Sequence, residues 1–356
     1  MIATRSSGWI GVDIGVSTVK VAQVSRRHGR FHLTEAAVVE RLRPWPGSGL
    51  AQETPRPSRN EIAGALSLGG RFRGRMAGAV ASLAVGELLS MQLPEGGAGS
   101  LRTQVAQRLG LNSSRGQQGV SFDCWPTNHP ADRTGIVDNA GALTVRDAWA
   151  DCLVSDLGSA GLRCQTLDGI PTSLPRMMRF QAGYDAAQPF AVLDWGYSQA
   201  LFCVLFGGRP IYSRCLKRCG LHHLLDSASE KAGLTVDDTT HLLLEHGLPG
   251  ARKMTPPQQV FAEIAAELIE TIESELRRTL THLRSHRAHI VPSRLCIVGG
   301  GATIRNLAPT LTARLPWEFH VWDPRRALNV KCDTHRDLLP LLGPAIAMSV
   351  LAWEEA

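Results

Sequence analysis

Two aspartates and three short glycine turns carry the residue types from which a phosphate site is built. Asp13 ends the apolar run Trp9-Ile10-Gly11-Val12 and is followed by Ile14-Gly15-Val16-Ser17-Thr18-Val19-Lys20, and Asp194 ends Phe190-Ala191-Val192-Leu193 and is followed by Trp195-Gly196-Tyr197-Ser198. In each case the glycine permits close approach of the backbone, so that amides of residues 15 to 18 can donate to phosphate oxygens. A carboxylate repels phosphate. The sensible role of Asp13 and Asp194 is therefore to hold a hydrated Mg2+, which keeps several waters and bridges to phosphates through few protein ligands. Ser17, Thr18 and Ser198 add hydroxyls. Lys20 adds a cation that either meets phosphate or lies along an outward strand face, and the spacing does not choose between the two. The third turn, Gly299-Gly300-Gly301-Ala302, follows Leu295-Cys296-Ile297-Val298 and lets a flat base or a phosphate pack directly on backbone. It has neither the G-x-G-x-x-G fingerprint nor a Walker lysine, which disfavours a dinucleotide fold and a P-loop.

The elements that must position these turns read as strands. Short apolar runs over 9–15, 18–24 and 30–36, joined by glycine-containing turns, predict three antiparallel strands. The same pattern, apolar strand then Asp-x-Gly then a second strand over 200–206 and a Gly207-Gly208 turn, recurs about 180 residues later. A lone Asp-x-Gly is most often a plain strand end with a turn. Its duplication in the same context predicts two related halves, 1–188 and 189–356, with a cleft between them. Between the repeats, helices are expected over 61–68, 100–109 and 147–160, and strands over 79–93, 120–125, 141–145 and 161–168, an α/β alternation. Residues 43–59, rich in Pro, Gly and Arg, read as an exposed loop. Apolar residues at Phe261, Ile264, Ala265, Leu268, Ile272, Leu276, Leu280 and Leu283 recur in steps of three and four and predict one long helix over 259–287. A buried strand over 293–298, a helix from near Thr303 and a last helix over 342–353 complete the reading.

Composition excludes several classes. The 356 residues exceed one usual core, and 44% hydrophobic with 20% charged residues is an ordinary globular balance. The net charge of +6 is spread along the chain without an aromatic-basic stripe, which argues against nucleic acid. Eight cysteines lie far apart and read as buried free thiols of a reducing cytosol. Cys215 and Cys219, the one close pair, lack ligand-spaced partners, which argues against a zinc site there. His222 and His223 read as a solvated helix start, since adjacent side chains on a helix point about 100° apart. Neither a signal-peptide stretch nor a run of about 18 apolar residues is present, so nothing here is expected to span a membrane.

Asp13-Ile14-Gly15-Val16-Ser17-Thr18-Val19-Lys20 resembles the first phosphate hairpin, Asp194-Trp195-Gly196-Tyr197-Ser198 the second, and Gly299-Gly300-Gly301 the adenosine loop of the actin, sugar kinase and heat-shock chaperone superfamily. Within it the sequence resembles the PilM family of type IV pilus assembly proteins, relatives of the cell-division protein FtsA. The likeness rests also on Ser213-Arg214 with Gly220, on Glu275-Leu276-Arg277-Arg278-Thr279-Leu280, and on Val321-Trp322-Asp323-Pro324. The resemblance implies a two-lobed actin-like, ribonuclease H-like α/β fold with an extra subdomain over about 98–168 in the first lobe. It implies ATP and Mg2+ in the cleft, with Gly220 near the second hairpin and with Glu275 and Arg278 approaching ribose and adenine. The plain alternative for that pair is an exposed charged couple at helical spacing three. It further implies a cytoplasmic scaffold at the inner face of the inner membrane. Its partners would be the N-terminal peptide of a PilN-like membrane protein and pilus motor ATPases or platform components. Self-association is left open, and any membrane contact would run through partners.

The chain departs from that pattern. Ser198-Gln199-Ala200 stands where many relatives have a threonine, Trp195 and Tyr197 flank Gly196, and Leu221-His222-His223 follows Gly220 where a second glycine is common. These changes would narrow the cleft or weaken nucleotide contacts. Three functions therefore compete: an ATP-binding scaffold, a nucleotide-free scaffold with a vestigial cleft, and a small-molecule kinase or ATPase. The last needs a base near the γ-phosphate, and the sequence assigns none, so any hydrolysis is expected to be slow.

Overall fold

The structure, a computed structural model, describes residues 7–41, 58–94, 99–111, 119–132, 138–249 and 254–354. The expected loop over 43–59 lies almost wholly outside them. The chain forms β1 (Ser7–Ile14), β2 (Thr18–Arg27), β3 (Arg30–Glu40), α1 (Arg59–Leu68), β4 (Met76–Ala81), β5 (Gly86–Met91), α2 (Leu101–Arg108), β6 (Val120–Pro126), β7 (Ala140–Arg146), α3 (Asp147–Ser159), β8 (Arg163–Gly169) and α4 (Ile170–Met178). It continues with β9 (Phe190–Trp195), β10 (Ala200–Phe206), β11 (Arg209–Leu216), α5 (His222–Ala232), α6 (Val236–His241), α7 (Pro256–His286), β12 (Arg294–Val298), α8 (Leu307–Arg314), β13 (Glu318–Val321), β14 (Leu328–Val330) and α9 (Gly343–Val350).

Two sheets repeat one topology. The first has the order β14-β3-β2-β1-β4-β8 and the second β11-β10-β9-β12-β13. In each, three consecutive strands form an antiparallel meander, and the first of them pairs in parallel with a strand reached through a helix. The registers correspond residue for residue. Asp13 stands opposite Lys20 on one side and Val80 on the other, and Asp194 opposite Leu201 and Val298. The duplication read from the two Asp-x-Gly runs is thus a duplication of sheets.

A third, antiparallel sheet of order β5-β7-β6 forms the inserted unit, with α2 packed on it through the small core of Met91, Leu93, Val105, Ala140 and Ala142. Its strands run from Gly86 to Arg146. The expected span of about 98–168 therefore leaves out β5 and takes in β8, which is a strand of the six-stranded sheet. Trp149, Leu153 and Leu157 of α3 likewise join the core of that sheet with Val12, Ile14 and Val21. Among the ties between the inserted unit and the other lobe is a buried ion pair. Arg287, just past α7, places Nη2 2.6 Å from Asp132 Oδ2, with only 5% and 7% of the two side chains exposed. It also donates to the carbonyls of Thr127 and Ile211, and His289 reaches the same carboxylate at 2.8 Å. The His129 backbone amide, donating to Oδ2 at 2.6 Å, and then the Arg287 and His289 side chains hold the Asp132 carboxyl below the usual carboxylate range despite its burial.

The second half does not stay in its own lobe, as a boundary at 188/189 would imply. After β13 the chain returns: β14 pairs in parallel with β3, and α9 lies across β1, β2 and β4 of the first sheet. α9 is buried along its whole length, which matches its sequence Gly-Pro-Ala-Ile-Ala-Met-Ser-Val. Its backbone meets strand backbone directly. A Cβ on Gly11 would stand 1.8 Å from the Ala345 carbonyl oxygen. Ser349 Oγ donates to the Trp9 carbonyl at 2.7 Å and accepts from the Val24 amide at 2.8 Å, joining helix to sheet without leaving a buried hydroxyl unpaired.

Smaller expectations change too. The helix placed near Thr303 is a 3-10 turn over 300–303, and α8 starts at Leu307 after Asn306, whose φ is 63°. All eight cysteines are free, but only Cys203, Cys219 and Cys296 are buried. β13 and β14 are too short to carry a periodic signal, whereas α4 does carry one, with Ile170, Leu174 and Met178 in steps of four, and α5 begins at His222, where the two histidines predict a helix start. Because α9 has no room to lift off a substituted strand, Gly11→Ala should lower unfolding free energy by about 3 kcal/mol, the upper range for overpacking. Urea denaturation monitored by tryptophan fluorescence reads that shift, and an unchanged midpoint would contradict the crossing.

Candidate functional site

Both Asp-x-Gly turns close in the same way. The Gly15 amide donates to the Thr18 carbonyl at 2.9 Å, and the Gly196 amide to the Gln199 carbonyl at 3.1 Å. The carbonyls of the two turns are held from behind. Arg41 donates from Nη1 to the Gly15 oxygen and from its backbone to the Ser17 oxygen, while the amides of Leu221 and His222 take the oxygens of Gly196 and Tyr197. A trans peptide points its N–H opposite to its carbonyl. Anchoring these oxygens turns the N–H groups of Val16, Tyr197 and Ser198 away from the anchors, and all three residues line one cleft.

That cleft has a volume of about 350 Å³ and draws its walls from both lobes. It brings together ten of the residues singled out by sequence: Asp13, Gly15, Ser17, Thr18 and Lys20 from the first lobe, and Asp194, Gly196, Ser198, Gly299 and Gly300 from the second. Four others fall elsewhere. Gly220 and Gly301 sit behind the wall, packed on the Ser198 carbonyl and the Trp195 ring. Glu275 is bound by Arg214 at 2.6 Å and by Arg278 at 3.0 Å. Arg278, 68% exposed, borders a separate depression on α7 with Glu273 and Arg277. The Glu275 carboxylate, 14% exposed, is thus shared by Arg214 of β11 and Arg278, and the pair stands apart from the lining of the cleft.

The charges on the floor are unequal. Lys20 Nζ lies 3.0 Å from Asp13 Oδ2, so this lysine spans toward the partner strand's carboxylate and sits in the cleft rather than on an outward face. Its counterpart in the second lobe is Leu201, so Asp194 has no such cation. Burial and the neighbouring Asp13 carboxylate push the Asp194 carboxyl up to about 6. Gly299, at φ 76°, passes so close that a Cβ there would lie 2.6 Å from Asp194 Oδ1. Two carboxylates against one ammonium make a floor that fits a small divalent cation; Asp13 and Asp194 would hold it through water in the manner of Mg2+.

The far end is apolar. Leu221, Leu243, Leu244, Thr240 and Thr303 form it, with Gly299 and Gly300 as its backbone edge. Sequence reasoning missed Thr240, Leu243 and Leu244, which come from the end of α6 and the π-helical turn Leu242–His246. The triple leucine was the available signal, but a five-residue π turn has no period to detect. Gln199, in the Ser198-Gln199-Ala200 stretch, crosses between lobes: its Nε2 donates to the Leu83 carbonyl at 2.9 Å while its Oε1 lies 2.9 Å from Cys215 Sγ.

Neither a protein-family model nor a curated protein matches the chain. Among solved structures it is similar to the PilM-PilN type IV pilus biogenesis complex, with a TM-score of 0.75 at 21% identity over 97% of this chain and 98% of that one. The chain has the two-lobed actin-like fold. A second similar structure is the ethanolamine utilization protein EutJ from Carboxydothermus hydrogenoformans, with a TM-score of 0.52 at 12% identity over 97% of this chain and 89% of that one. The actin-like arrangement accounts for the duplicated sheets and for a cleft at the ends of β1 and β9.

The Asp194 carboxyl titrates higher in the folded chain than in the unfolded one. Its contribution to stability is thus present at low pH and lost as pH rises through about 6. Asp194→Asn should raise the melting temperature clearly more at about pH 7.5 than at about pH 4.5, and not at all well below the unfolded value of 3.8. Scanning calorimetry across that range checks it; a gain independent of pH would mean that packing and not charge sets the effect.

Proposed function

We propose that this actin-like chain is a nucleotide-binding assembly scaffold of the PilM kind. ATP with Mg2+ would occupy the interlobe cleft, and the chain would receive the N-terminal peptide of a PilN-like inner-membrane protein. The observation that carries the reading is the pair of matched turns, one from each lobe, that present Asp13 and Asp194 to a single cleft with an apolar end. The phosphate chain fits between the turns, where the N–H groups of Val16, Tyr197 and Ser198 and the Lys20 ammonium offer donors. Mg2+ supplies charge neutralisation for the phosphates. Asp13 and Asp194 keep it at the floor, and Leu221, Leu243 and Leu244 exclude water from the base.

The wall comes from both lobes, so a ligand touching both turns favours the arrangement that brings them together. It acts through its differential affinity for closed over open states. A scaffold needs nothing further from the cleft, and any hydrolysis would be slow. Among the described residues no helix is long and apolar enough to cross a membrane. Attachment at the inner face of the inner membrane, alongside motor ATPases or platform components, would therefore come through partners.

The test is Mg2+-dependent binding of ATP by isothermal titration calorimetry. Asp13→Ala should weaken it by about tenfold or more, ~1.4 kcal/mol. Gly300→Trp, whose side chain must enter where Leu221 Cδ1 already lies 2.6 Å from a Cβ, should abolish it. No binding by the parent chain, or full binding by Gly300→Trp, would overturn the reading.

A further inference from the structure

Beside the cleft, the first turn of α5 carries an arrangement that the nucleotide reading does not use. His222, His223 and Asp226 each offer a ligating atom, and the three atoms lie within 4.8 Å of one another. Adjacent residues on a regular helix diverge, yet the two imidazoles stand with centroids 3.9 Å apart. His222 opens the helix, and its ring is held back over the preceding turn by the Tyr197 carbonyl, 3.0 Å from Nδ1. Asp226 follows His222 by four residues and His223 by three, so its carboxylate lies on the helix face that both rings share.

Three further features suit a cation. A carbonyl oxygen only accepts, so the Nδ1 atom of His222 carries the hydrogen of that bond and its Nε2 lone pair is left available. This is the outer hydrogen bond that fixes the tautomer of metal-bound histidines. His223 and Asp226 are both exposed, so an ion can reach their donor atoms from solvent. The positive end of a helix opposes a cation, but here the first amides are taken up. Those of His222, His223 and Leu224 donate to the carbonyls of Tyr197, Gly220 and Leu221 at 3.0, 3.2 and 2.9 Å.

We propose that His222, His223 and Asp226 form a binding site for one divalent transition-metal ion of the zinc class at the rim of the cleft. Two imidazoles and one carboxylate are a donor set for zinc and its first-row neighbours, with a fourth position open to water or to an outside ligand. Hard cations that prefer all-oxygen shells are poorly served by it, so the site is chemically distinct from the Asp13 and Asp194 floor. Tyr197 and Leu221 border the cleft, and the ion would pin α5 to the turn that carries Tyr197. The site stands on its own residues and does not depend on nucleotide binding.

The experiment uses the full chain without an affinity tag, stripped with chelator and titrated with Zn2+ alone by calorimetry. Co2+ absorption serves as a second readout of ligand type. One equivalent of Zn2+ is expected, weakened about tenfold or more in His223→Ala and in Asp226→Asn. Both residues are exposed, so their substitution leaves the core intact, and a thermal melt confirms folding. The paired variant His282→Ala with His286→Ala removes another close imidazole couple, 4.6 Å apart on α7, and should bind as the parent does. No binding by the parent, undiminished binding in the α5 variants, or loss that follows the α7 pair instead would each overturn the proposal.

Discussion

The crossing of α9 over β1 is the contact on which the two-lobed arrangement depends. A helix can lie with its own carbonyls against strand backbone only where the strand offers no side chain. Gly8 and Gly11 provide that on the face beneath Ser349 and Ala345. The same crossing brings the last described segment against α4, where the Gly343 backbone packs on Met177. α4 and α9 each follow the last parallel strand of their half, so the junction of the lobes is a pair of equivalent helices. The core there is shared, with Met177 and Met178 of one half beside Ile346 and Met348 of the other. With the backs of the two sheets joined this way, the ends of β1 and β9 come to face each other across an open front.

What faces across that front is electrostatically unbalanced, and the imbalance follows from the duplication being inexact. The two hairpins agree in turn closure and in the position of the carboxylate, but the residue opposite the carboxylate is lysine in one and leucine in the other. A symmetric pair of lysines would neutralise the floor and leave nothing for a cation. One lysine leaves Asp194 against an apolar strand and near a like charge, which raises its carboxyl to about 6.

Much of this was legible in the residues. The strands that end in Asp13 and Asp194 announce themselves by unbroken apolar runs, and α7 by about six turns of regular period between Phe261 and Leu283, with Thr255 capping its start. The turns were legible because glycine has few reasons to recur beside an aspartate. The apolar end of the cleft was not, since it is assembled from a π turn and from single residues far apart in the chain. Nor was the setting of Glu275 and Arg278: their spacing pairs them on one helix face, but the second cation on the carboxylate, Arg214, arrives from β11. The return of the chain into the first lobe left no local mark, because a short buried helix such as α9 looks the same whichever sheet it covers.

That return also sets a timetable. The Ser349 hydroxyl bonds to the Trp9 carbonyl across 340 residues of chain. At ribosomal rates of about 5–20 residues per second, the strand made first waits roughly 20–70 s for the helix that covers it. Until then one face of the leading sheet is bare apolar surface, and its outer strand lacks the β14 edge partner. The nascent first lobe is in this sense an unfinished half until β14 and α9 reach it.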